Sequence, residues 1–293
     1  MKTKDIITIP RIIGIVLIIL AIIVQVKLQQ LSHAIILAIA GLILALAPNT
    51  SAKKNLKDVI TSFRLKKEFA IIMFIDAMTF VACALLTILL YKIILANAEA
   101  LNAIPASPSL APESLAAYNT ILGKFFLYSG IALAAFYLAT IIVYTISRGL
   151  VWLVLLGKKP ELGFFARLGL LNLVWYTIWT VLALFFMITM KPEGGVPVII
   201  VLLLLYTHLT TALHYSYAKV QEMKKSLIEA FRKGLGKIPA FAQPYCYILI
   251  VYVIISQAIH IGTGKFALAI AFTAYFAFMA WYRIYMRNVL RQI

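Results

Sequence analysis

Acidic residues are scarce in this sequence: ten aspartates and glutamates stand against 27 lysines and arginines in 293 residues. That shortage excludes the multi-aspartate motifs with which membrane prenyl- and phosphatidyl-transferases hold divalent metals. Cysteine is scarcer still, with two in the chain, Cys83 and Cys246. They lie far apart in separate apolar runs, which fits neither a disulfide framework nor a metal spacing. They read as small buried residues. No polar stretch approaches the ~50 residues of the smallest common domain, so no soluble domain is expected. There is no P-loop, no His-Glu-x-x-His and no Gly-x-Ser-x-Gly. His208 and His214 are six apart and point to different helix faces. An embedded enzyme would need a paired acid and base, and none is evident. The expectation is therefore no catalytic residue, no cofactor and no metal.

What is abundant is apolar. Hydrophobic residues make up 63% of the chain and charged residues 13%, against about half and about a quarter in soluble domains. A spanning helix needs about 20 apolar residues. Eight segments qualify: 9–26, 32–47, 69–95, 125–147, 165–190, 197–217, 240–260 and 266–286. The first two are short and fit either a transmembrane hairpin or a shallow re-entrant one. Both options return the chain to its starting side. The apolar run after Arg11 ends at Gln25-Val26-Lys27 without a small-x-small cleavage site, so it reads as a retained span rather than a signal peptide. The fold expected is an all-α polytopic transmembrane helix bundle. Its parts are an N-terminal hairpin over 1–50 and a six-span domain over 51–293.

Lysine and arginine set the orientation. With the N-terminus cytoplasmic, only Lys27, Lys92, Lys124, Lys191 and Lys265 of the 27 basic residues face outward. Both termini are then cytoplasmic, and the basic loops face the anionic inner leaflet of the cell membrane. The charges are dispersed at span ends rather than gathered on a domain, which argues against nucleic acid as the partner. The outer segment from Asn97 to Thr120, with Pro105, Pro108 and Pro112, reads as a connector with about one helical turn. Arg148 and Gly149 read as the end of the fourth span, leaving 149–156 and Trp152 along the interface.

Three cytoplasmic segments share one design. Leu56, Val59, Ile60 and Phe63 recur at helical spacing among Lys57, Asp58, Arg64 and Lys66. Val220, Met223, Leu227 and Ala230 or Phe231 do so among Glu222, Lys224, Lys225, Glu229 and Arg232. The middle copy is shorter: Leu162, Phe165 and Leu168, with Arg167. Each reads as an amphipathic helix lying in the interface plane, and each precedes a pair of spans. The run from Ser226 to Pro239, leading straight into an apolar span, resembles prokaryotic six-span membrane proteins of the type similar to the membrane domain of glycerophosphodiester phosphodiesterases. The resemblance covers about 55–293. It implies a six-span membrane fold and carries over no catalytic residue, because the soluble phosphodiesterase domain has no counterpart here.

Ionisable groups inside spans are costly and usually face a bundle interior. Asp76, Thr79, Cys83 and Thr87 share a face of the third span. Comparable stripes are Tyr137, Thr140, Tyr144 and Arg148; Asn172, Tyr176 and Trp179; Thr207, Thr211 and His214; and Tyr245, Tyr252, Ser256 and His260. By depth, Asp76, Thr79, Arg148, Asn172, Thr211, His214 and Gln243 form a candidate polar cluster near the cytoplasmic side, with Asp76 expected against Arg148 or His214. Two functions fit. One is a non-catalytic membrane component that organises lipids or membrane-protein partners through its basic interfacial helices. The other is a small-solute or lipid transporter with a cytoplasm-facing polar vestibule.

Overall fold

Helix formers and prolines decide where each element starts and stops. The computed structural model describes residues 38, 41, 57–63, 66–102, 112–261 and 267–293. The expected spans over 9–26 and 32–47 therefore lie outside the described residues, apart from Ala38 and Gly41, which are helical. A helical segment over 57–62 is followed by α1 (Lys67–Asn102), α2 (Pro112–Leu156), α3 (Leu162–Thr189), α4 (Pro192–Val220), α5 (Met223–Gly234), α6 (Ile238–Ile261) and α7 (Ala267–Gln292). No strand occurs among the described residues. All of these helices except the 57–62 segment and α5 are long and apolar enough to cross a bilayer. The architecture is that of an all-helical, multi-pass membrane protein.

Three boundaries differ from the sequence expectation. Within Asn97–Thr120 the described residues are helical, because α1 runs on to Asn102 and α2 starts at Pro112. The run Ala96-Asn-Ala-Glu-Ala-Leu-Asn is rich in helix formers. Proline is favoured at the first helical position, where its missing N–H costs nothing. Polarity suggested a loop where propensity made a helix. Secondly, α2 does not stop at Ser147 but continues through Arg148 and Gly149 to Leu156, for 45 residues in all, or about 68 Å. Trp152 is accordingly not an interfacial belt residue. It is buried and meets Tyr215 edge-on with ring centroids 5.6 Å apart. Thirdly, the segment starting at Leu162 is no separate interfacial helix but the first turns of α3. Nothing between Leu162 and Leu171 breaks a helix, whereas breaks do separate 57–62 from α1 and α5 from α6.

The chain divides into two units. One comprises α1 from Ala77, α2 to Val151, α3 and the start of α4 to Ile200. Within it α2 and α3 approach closely at Gly149. A Cβ there would lie 2.6 Å from the Phe165 ring and 3.1 Å from that of Phe164. Along α1 and α2, Leu86, Leu89, Ala139, Ile142 and Val143 line an open apolar groove of about 430 Å³. Leu85, Leu89 and Ile142 on this side are more than half exposed, as befits a surface solvated by lipid.

The other unit comprises residues up to Asp76, 152–159 and everything from Val201 onward. Here α2 ends in a Schellman turn. Gly157 adopts φ +66°, Lys158 N–H donates to the Leu153 carbonyl and Gly157 N–H to that of Val154. The turn aims Lys158 Nζ at the carbonyls of Ala218 and Lys219, 2.8 Å from each. That cation caps the C-terminal end of α4, where carbonyls lack partners. The centre of this unit is the second half of α7. Trp281, Tyr285 and Leu290 are fully enclosed, and Ile284, Met286 and Val289 are buried beside them. A helix buried on every side needs a partner in every direction, and the charges of α7 follow from that.

Candidate functional site

Arg283, Arg287 and Arg291 fall at i, i+4 and i+8 and so share one face of α7. Arg283 is 5% exposed and donates to the Asp76 carboxylate on α1, itself 5% exposed. One turn further on, Arg287 Nη1 lies 3.2 Å from Glu68 Oε2 and 3.1 Å from the Leu155 carbonyl of α2. Arg291 lies beside the Tyr215 hydroxyl. Antiparallel helices set this order: stepping toward the C-terminus on α7 means stepping toward the N-terminus on α1.

The opposite face of α7 holds the 57–62 segment. Phe63 stacks on Trp281 at 4.9 Å, and Trp281 Nε1 donates to the Val59 carbonyl at 3.4 Å. Asn288 Nδ2 donates to Ser62 Oγ at 3.2 Å, and Gln292 Nε2 to Asp58 Oδ2 at 2.6 Å. A third side receives α5. Lys233 is 8% exposed, pairs with Glu229 at 3.2 Å, donates to the Leu290 carbonyl at 3.3 Å and sits over the Tyr215 ring at 5.4 Å. Thr211 on α4 approaches the Tyr282 hydroxyl at 3.3 Å. The described acids of this unit are thus engaged one by one: Asp58 by Gln292, Glu68 by Arg287, Asp76 by Arg283, Glu222 by Lys225 and Glu229 by Lys233.

His208 fastens α5 from the other side. Its Nε2 lies 2.9 Å from the Gly234 carbonyl and its Nδ1 2.7 Å from the Tyr245 hydroxyl. A carbonyl only accepts, so Nε2 carries the hydrogen, and in the neutral ring Nδ1 accepts from Tyr245. Gly234 permits this approach, since a Cβ there would lie 2.6 Å from Leu209 Cδ2.

The seven residues of the expected polar cluster fall in both units. Asp76, Thr211, His214 and Gln243 belong to the unit built on α7. Asp76 and Thr211 meet neighbouring residues of α7, while His214 and Gln243 are buried. Gln243 donates to the Tyr247 hydroxyl at 3.4 Å. Thr79, Arg148 and Asn172 belong to the other unit and gather on one stretch of α2. Thr79 donates to Ser147 at 2.6 Å, Asn172 to Thr145 at 2.9 Å, and Arg148 lies over the Tyr144 ring at 4.6 Å. Asn172 is fully buried.

Asp76 forms an ion pair with Arg283, a residue the sequence reading did not single out. Arg283 lies near the C-terminal end of the last span, where a basic residue reads as a flanking charge rather than an intramembrane one. Its signal was present nonetheless: arginines at i, i+4 and i+8 on the last span, and carboxylates eight residues apart, Glu68 and Asp76, on α1. Three stripe positions, Thr87, Thr207 and Tyr252, are exposed. Thr87 and Thr207 satisfy themselves on the carbonyls of Cys83 and Leu203. Tyr252 is 47% exposed. The side chain of His260 lies outside the described residues.

Chemically the arrangement is a set of charges held by fixed counter-charges. Among the described residues no three His, Cys, Asp or Glu side chains converge as a metal site requires. No protein-family model, curated protein or solved structure matches the chain.

Proposed function

We propose that this protein is a non-catalytic multi-pass component of the cell membrane that organises lipids or membrane-protein partners at its basic, cytoplasmic side. The observation that carries the reading is the use of its few carboxylates. Asp76, Glu68 and Glu229 are each spent on a cation of the same unit. A buried carboxylate already holding an arginine is a fixed structural element rather than an acceptor awaiting a substrate. The seam ties α1, α2, α5 and the 57–62 segment to α7 and leaves basic residues on the outside of the helix ends.

Cys83 tests this against transport. It lies on α1 one turn beyond Thr79 and is partly exposed. In a Cys246→Ala background, inside-out vesicles are treated with a small membrane-impermeant thiol reagent. The expected outcome is no labelling of Cys83 until the protein is denatured in detergent. Rapid labelling would mean that water reaches mid-membrane from the cytoplasm, and the transporter reading would replace this one.

A further inference from the structure

The face that α5 turns outward is not the one its sequence pattern singles out. Met223, Leu227 and Ala230 are partly or fully covered, and the covered side is completed by Ser226, Lys233 and Gly234. Ser226, Ala230 and Gly234, at i, i+4 and i+8, let α5 lie close to its neighbours. What remains outside is a second apolar strip. Ile228 is 58% exposed, Phe231 42% and Leu235 45%, and the strip continues into Ile238 at the start of α6. Exposed cations flank it: Lys224, Lys225, Arg232 and Lys237. On a helical wheel Phe231, Leu235 and Ile228 span an arc of about 60°, with Arg232 and Lys225 next in order on one edge.

We propose that this outward face is a docking surface for anionic phospholipid. The three apolar side chains enter the boundary between headgroups and acyl chains, and Lys224, Lys225 and Arg232 meet the headgroup phosphates. Charge complementarity chooses this occupant. An apolar strip bordered by lysine and arginine matches an interface that is apolar below and negative above. The 57–62 segment supports the same level of insertion. It packs on the same half of α7 and also turns outward large apolar residues, Ile60 at 63% and Phe63 at 46%, beside exposed Lys57 and Lys66. Because α5 is fixed to α4 and α7 through His208 and Lys233, lipid captured here would bear directly on the charged seam. The proposal rests on the membrane-component reading and names its ligand.

The test uses the full chain carrying Cys83→Ala and Cys246→Ala, with a nitroxide on Phe231→Cys or, as a second probe, on Ile228→Cys. It is reconstituted in phosphatidylcholine vesicles with or without one quarter phosphatidylglycerol. The expected result is a probe relaxed more by oxygen than by a water-soluble nickel complex, and the more so with the anionic lipid. Spin-labelled phosphatidylglycerol should associate in preference to spin-labelled phosphatidylcholine. The Lys224→Gln, Lys225→Gln, Arg232→Gln variant should lose that preference, about fivefold for each cation at the surface. A probe open to nickel overturns the proposal, as does an anionic-lipid preference that survives the triple variant. A probe shielded from both reagents overturns it in favour of a second copy of the chain. Labelling of Cys83 would end the non-transport reading while leaving these outcomes intact, so the two failures are distinguishable.

Discussion

Among single residues, the Asp76–Arg283 pair carries the largest energetic consequence. Two opposite charges removed from water gain little net stability together, but removing one strands the other. Asp76→Ala is therefore expected to destabilise the protein by about 3–5 kcal/mol. Asp76→Leu combined with Arg283→Met, which replaces both charges with apolar groups of similar size, should recover most of that loss. Unfolding midpoints in mixed detergent micelles measure both, and a double variant no better than the single would mean the pair is not what holds α1 to α7. The neighbouring pair behaves differently. Glu68 is 42% exposed at its side chain, so solvent screens it and its removal should cost less than about 1 kcal/mol.

Along the helices, glycine sorts into two kinds. Gly149 lies where α3 comes closest to α2, and a Cβ would enter the Phe165 ring. Gly149→Val is expected to cost about 1–3 kcal/mol through overpacking. Gly123, also within α2, has an ordinary helical backbone, and a Cβ added there would meet nothing within 4 Å. Gly123→Ala should stabilise by about 0.5–1 kcal/mol by limiting the freedom of the unfolded chain. The same unfolding assay separates the two, and equal effects would contradict the close approach at Gly149. The helices also mark where periodicity misleads. Alternation of apolar and basic residues near Leu162 resembles that of α5, yet one segment continues a span and the other lies apart from it. The pattern is alike because any chain leaving the membrane on the basic side alternates in this way. The difference lies in the break at 235–237, which the segment after Leu162 does not have.

For the molecule as a whole, the order of the helices fixes which ends share a side. The expected outcome is that a cysteine at Ile293 reacts with impermeant reagent from the same face as one at Lys225, and one at Ala117 from the opposite face, each in a background without Cys83 and Cys246. Reaction of Ala117→Cys and Ile293→Cys from one face would refute the crossing pattern of α2 to α7. The solvent of this chain is legible in its residues alone: long apolar runs, scarce acids and basic residues concentrated on one side commit it to a helical membrane architecture. Transfer into lipid is summed over about 20 consecutive residues, so it can be read without knowing any neighbour. The same reading marked Asp76, Asn172 and His214 as inward-facing, because burial of a polar side chain is strongly constrained wherever it occurs. The partner seen for Asp76, by contrast, was set by packing between distant helices. Asp76 and Arg283 are 207 residues apart, and their meeting depends on α1 and α7 lying antiparallel against each other. No local periodicity encodes which helix is a neighbour. The outward face of α5 was settled the same way, since a helix with two apolar strips buries whichever one its small residues allow to approach.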